Sequence, residues 1–306
     1  MGTGGFHPEL DKAARWLPKT VLTRRSFRFV RFAFKLAARL APQSSQTIGL
    51  ETGRRIQLHA PRGRPTGRAP ALLWIHGGGL VIGDPRLEEK LCAGLSEDLG
   101  LIVAAPDYRL APDHPYPAAL EDLDAALSWL ADRPGVDPAR IAIGGDSAGG
   151  GLAACLALRA AKRDGPQPCF LLLHEPMLDE ATRFRPDPDP AKLRLWNGAA
   201  NRFGWGAYLA GLDGAVPPTA SAARASGTEL AALPPTWLGI GTADLFHAET
   251  TAFAARLAAA GKLHGLVTVP GGFHGFATFA AKAPVSRGYL AEMKSALTQG
   301  LGLDAG

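Results

Sequence analysis

The chain has 306 residues, 46% of them hydrophobic, a length that suits one large α/β domain with an insertion or else two domains. Cys92, Cys155 and Cys169 include no C-x-x-C pair, which excludes a zinc knuckle and a disulfide framework and fits a reducing cytoplasm. Net charge is +5, but residues 1–40 hold nine Lys and Arg against Glu9 and Asp11, leaving 24 basic and 26 acidic residues elsewhere; without a finger, helix-turn-helix or RNA-binding signature, nucleic acid is not an expected partner.

The N-terminus MGTGGFHPEL lacks the charged head and apolar core of a signal peptide, and no uncharged run approaches the ~20 residues of a membrane span. In RRSFRFVRFAFKLAARL, residues 24–40, the basic residues Arg24, Arg28, Arg31, Lys35 and Arg39 run beside a stripe of Phe27, Val30, Phe34 and Ala37. That spacing predicts a basic amphipathic helix with its arginines toward water. Beyond residue 70, ALLWIH, LIVAAP, RIAIGG, CFLLLH, TWLGIG and GLVTVP read as strands, separated by helical stretches at 86–99, 117–130, 147–163 and 248–261. The alternation is that of a parallel, doubly wound sheet with helices on both faces. Residues 180–225 break the rhythm with proline and acidic residues followed by Trp196, Phe203, Trp205 and Tyr208, and read as an insertion over the sheet's edge.

Doubly wound sheets place their sites at the carboxyl ends of the strands. Ser147 meets this condition, because RIAIG is a strand, SAGGGLAACLALRAAKR a helix, and GDSAG the turn between them. Gly145 and Gly149 then avoid the clashes a Cβ would bring to a strained turn, and the Ala148 N–H at the helix start can face an oxyanion. By itself such a turn could also serve packing or hold phosphate. WIHGGG, residues 74–79, ends an earlier strand with bare backbone N–H groups that can hold a negative oxygen, with His76 as a support for the loop.

A nucleophilic serine needs a base, and the base an acid to orient it. Of the histidines that precede glycine late in the chain, His264 comes before the last strand and His274 after it, so position selects His274. Asp244, following TWLGIG, lies on the same rim; Asp179 is the runner-up, and Glu249 falls inside the next helix. His59, His114, His174 and His247 are set aside for want of a comparable location. The order Ser147, Asp244, His274 is the one that accompanies this kind of turn.

These motifs resemble the bacterial hormone-sensitive-lipase-like esterases, also called family IV, of the α/β-hydrolase fold. The resemblance covers roughly residues 70–280 and rests on HGGG at 76–79, DYRLAPDHPYPAALED at 107–122, GDSAGG at 145–150, LPPTWLGIGTADLF at 233–246 and GGFHGF at 271–276. It implies a carboxylic ester hydrolase with an oxyanion hole of Gly77, Gly78 and Ala148, no metal or organic cofactor, and a helical cap. The expected division is a cap segment at 1–45, a core at 46–179, a cap insertion at 180–225 and the rest of the core at 226–306. The pocket under such a cap, with Trp196, Phe203 and Trp205, should suit small or short-to-medium acyl esters. An amidase or arylamide deacetylase with the same triad, or a non-catalytic binding protein on the same fold, are the alternatives. The expected partner is a small-molecule ester; a membrane is not expected, although a basic face beside aromatic residues is also the pattern of a helix that meets anionic lipid, and a homodimer is left open.

Overall fold

The computed structural model describes residues 5–63 and 67–303, so the outermost residues of the two end segments, 1–4 and 304–306, lie outside the described residues. One sheet contains β1 (Gln46–Gly49), β2 (Arg55–His59), β3 (Ala69–Ile75), β4 (Ile102–Pro106), β5 (Val136–Asp146), β6 (Phe170–His174), β7 (Thr236–Gly241) and β8 (Leu263–Val269). Its order is β1-β2-β4-β3-β5-β6-β7-β8. From β4 to β8 all pairings are parallel, whereas β1 and β2 join antiparallel at one edge. The helices are α1 (Asp11–Trp16), α2 (Phe27–Leu40), α3 (Glu89–Leu99), α4 (Ala118–Ala131), α5 (Ala148–Ala160), α6 (Gly198–Tyr208), α7 (Gly227–Ala231), α8 (His247–Ala259), α9 (Phe276–Phe279) and α10 (Pro284–Gly300).

Strand β3 is buried at every position, which is why APALLWI is a continuous apolar run rather than an alternating one. Its side chains still divide by face. Ala71, Leu73 and Ile75 join the layer formed with α4, α5 and α8, while Leu72 and Trp74 join the layer formed with α3 and α10. Helices therefore cover both faces, as the alternating pattern requires. The six strands read from the sequence are all present.

Residues from Pro18 to Phe27 and the 180–225 segment pack on each other. Val21 N–H donates to Leu195 C=O at 2.9 Å, Leu195 N–H to Pro18 C=O at 2.8 Å, and the Phe27 and Phe203 rings meet at 5.0 Å. Helix α2 corrects the expected picture in two ways. Arg31 does not face water: its side chain is 12% exposed, ion-paired with Asp113 and donating from Nε to Val81 C=O at 2.8 Å. And besides the expected stripe of Phe27, Val30 and Phe34 turned inward, Phe29, Phe32, Leu36 and Leu40 form a second apolar stripe that is exposed.

Candidate active site

Ser147 stands between β5 and α5 with φ 54° and ψ −116°, a region that costs a non-glycine residue about 1–3 kcal/mol. The strain is held from both sides. Ser147 N–H donates to His174 C=O at 2.9 Å, and its own C=O accepts from Met177 N–H at 2.9 Å and Gly151 N–H at 3.1 Å. The turn also has no room for side chains: a Cβ on Gly149 would lie 2.0 Å from Ile75 O.

His274 follows β8 and Asp244 follows β7, and the two bring a continuous chain of hydrogen bonds to the serine. His274 Nε2 is 3.0 Å from Ser147 Oγ, and His274 Nδ1 is 2.7 Å from Asp244 Oδ2. Asp244 is buried and is itself fixed by Phe246 N–H at 2.9 Å. Burial alone would lower the His274 pKa, yet the charge and hydrogen bond of Asp244, with Glu175 and Asp146 behind, raise it above the ordinary histidine range. His264 lies near the start of β8, exposed, with its ring edge-on to Phe170. Asp179 instead accepts Ala181 N–H and pairs with Arg185. Glu249, inside α8 and pushed up to about 8 by burial, accepts from Leu178 and Asp179 N–H and from Thr182, tying the 178–182 turn to that helix.

The WIHGGG loop borders the serine. A Cβ on Gly77 would lie 3.3 Å from Ser147 Cβ, and Gly78 has φ +116°, open only to glycine. Among the described residues, the N–H groups of Gly77, Gly78 and Ala148 donate to no protein acceptor. His76 supports the loop as expected: its Nδ1 lies 2.8 Å from Gly77 O, its ring stacks on Tyr108 at 4.2 Å, and Tyr108 OH donates to His76 C=O at 2.9 Å.

Sequence reasoning passed over a second layer. His174 ends β6 on the same rim, buried, with Nδ1 2.6 Å from Asp146 Oδ1, so setting it aside for want of location was wrong. The signal was present, since CFLLLH closes a strand just as the positional argument demands. Glu175 is fully buried at φ +45°. It accepts Gly275 N–H at 2.6 Å and lies 3.9 Å from His274 Nδ1. Burial, partly offset by His174 and His274, pushes its pKa up to about 7. Asp146, His174 and Glu175, and likewise Glu175, Asp244 and His274, gather ligand-type atoms within 4.8 Å. In each group a carboxylate already engages the imidazole Nδ1, which accounts for the clustering by hydrogen bonding alone.

Ser147, His274 and the Gly77–Gly79 loop line a partly open cavity of about 370 Å³, bordered also by Val21, Phe34, Ala37, Leu195 and Trp196. Trp196 stacks so closely over the loop that a Cβ on Gly79 would lie 1.9 Å from its Cη2. The other two expected pocket aromatics are elsewhere: Trp205 is buried in the core, and Phe203 packs on Phe27. Their helix, α6, turns them away from the cavity.

The profile of the α/β-hydrolase fold matches residues 72–278, from β3 through His274 into α9. The chain belongs to the α/β-hydrolase family. Its relatives place it among the hormone-sensitive-lipase-like carboxylesterases. Esterase LipI of Mycobacterium tuberculosis is 36% identical over 233 residues, 73% of this chain and 72% of its own. The ethyl acetate hydrolase of Pseudomonas putida is 32% identical over 225 residues, 71% and 69% of the two chains. Among solved structures, a bacterial heroin esterase shares 33% identity with a TM-score of 0.86 over 97% of this chain and 98% of its own. For this family member the matched segment contains Ser147, Asp244 and His274, whereas the N-terminal roof of the cavity, Val21, Phe34 and Ala37, precedes it.

Proposed function

We propose that the protein hydrolyses carboxylic esters of short-to-medium acyl chain through an acyl-enzyme on Ser147. The hydrogen-bonded chain Ser147–His274–Asp244 at the floor of a roofed cavity carries this reading. His274 Nε2 takes the Ser147 proton as Oγ attacks the ester carbonyl. The oxygen that becomes negative is met by the N–H groups of Gly77, Gly78 and Ala148, each such donor being worth ~10²–10³ in rate. Asp244 keeps the Nδ1 proton in place and stabilises the imidazolium. The proton then passes to the departing alcohol, and water, activated by the same imidazole, releases the acid. We assign the cap to residues 1–45 and 180–225, a reading supported by Val21, Phe34, Ala37, Leu195 and Trp196, which line the cavity.

Ser147→Ala should abolish turnover of p-nitrophenyl butyrate with an unchanged circular dichroism spectrum, and a serine-directed phosphonate should add its mass to the Ser147 peptide alone. More than a few per cent residual turnover, or labelling of another serine, would overturn the assignment.

A further inference from the structure

Helix α2 leaves two features unexplained by a role as roof. Its inner face packs Phe27, Val30 and Phe34 on the core, but Phe29 (74% exposed), Phe32 (64%), Leu36 (46%) and Leu40 (75%) point outward. At 100° per residue these four fall on one narrow arc, a continuous strip of large apolar side chains. The same 14 residues contain no acidic side chain.

Beside this arc lies a polar cavity of about 340 Å³, lined on one side by Lys35 and Arg39 of α2 and on the other by Arg54. Its carboxylates are already engaged: Asp84 by Arg86, Asp107 by Arg55 and Asp113 by Arg31. Lys35, Arg39 and Arg54 take part in no ion pair among the described residues. An exposed apolar strip edged by uncompensated cations complements an anionic surface with an apolar interior, and the like charges oppose pairing of the strip with a second copy. No helix among the described residues is long and apolar enough to cross a membrane, so the complement is one α2 lies on rather than passes through.

We propose that α2 docks the protein on an anionic lipid surface, with Phe29, Phe32, Leu36 and Leu40 among the upper acyl chains and Lys35, Arg39 and Arg54 on headgroup phosphates. The Ser147 cavity is then presented to the same surface. Phe34 and Ala37 of α2 line it, and Leu87 and Phe279, which also line it, are 38% and 57% exposed. Docking stands on the outer face of the helix and does not depend on the reaction carried out below it.

The full chain should sediment with vesicles of phosphatidylcholine containing roughly one-quarter phosphatidylglycerol at about 0.15 M salt, and not with phosphatidylcholine alone. Two double variants separate the contributions: Phe32→Ser with Leu36→Ser, and Lys35→Glu with Arg39→Glu. None of these side chains lines the Ser147 cavity, so both variants should keep wild-type turnover of a soluble ester, which also reports that they fold. Each should lower vesicle association by about tenfold or more. Absence of sedimentation by the wild type, or equal sedimentation by either variant, overturns the proposal. So does a dimer, seen by light scattering and dissolved by Phe32→Ser with Leu36→Ser, in a protein that ignores vesicles, because a second copy would then cover the strip.

Discussion

Glu175 gives the candidate site a second buried carboxyl, pushed up to about 7, that the serine, histidine and aspartate do not account for and that is negative above that range. Its carboxylate holds Gly275 N–H and stands 3.9 Å from His274 Nδ1, so it positions the histidine loop and favours the imidazolium. His274 must be neutral to accept a proton. The rate should therefore rise with pH through an inflection above the ordinary ~6.5 of histidine. Glu175→Gln keeps an oxygen for Gly275 but removes the charge, so its inflection should move to lower pH, read from kcat/KM on a soluble ester between about pH 5 and 9.5. An unmoved inflection would reduce Glu175 to a structural prop. At this scale Ser147, Asp244 and His274 were legible because each sits at the end of an apolar run, where a one-dimensional pattern already fixes the three-dimensional rim. Glu175 was not, because its role depends on β6 bringing it against Gly275, 100 residues later, and no local pattern records that contact.

Among the elements, α2 is held to the core by Phe27, Val30 and Phe34 and by one largely buried arginine. Arg31 donates to the carbonyls of Val81 and Ala111 and pairs with Asp113, whose side chain is 60% exposed, so most of the grip comes from the carbonyls rather than the screened ion pair. Arg31→Ala should lower Tm by a few degrees, and because Arg31 does not line the Ser147 cavity it should raise KM more than it lowers kcat. Calorimetry and initial rates check both; a collapse of kcat with unchanged KM would place Arg31 in the chemistry instead. The helix itself was readable from its spacing, but its two apolar faces were not, since one stripe masked the other and its basic residues were all assigned to water. Strands β3 to β8 were readable as apolar runs, although β8, at the far edge of the sheet, buries only Val269. β1 and β2 went unread because QTIG and RIQLH are short and mix polar with apolar residues, and α10 because PVSRGYLAEMKSALTQG buries only a narrow line through Tyr289, Met293 and Leu297.

For the whole molecule, the size of the cavity at Ser147 leads us to expect a preference for short acyl chains. About 370 Å³ lies near the lower end of ordinary ligand sites, and Trp196 lies against the Gly77–Gly79 loop that forms its wall. Butyrate and hexanoate p-nitrophenyl esters should exceed palmitate in kcat/KM, and comparable turnover of emulsified long-chain triglyceride would contradict this. The roof also joins parts of the chain made far apart in time. Val21 and Pro18 bond to Leu195, and Arg194 reaches Ala14 from 180 positions away. During synthesis residues 14–21 emerge first but lack these partners until residues 194 and 195 follow, so this side of the pocket is among the last features to assemble. Mild denaturant, by loosening this long-range closure, would leave a sheet with its serine and histidine in register beneath an open, apolar mouth.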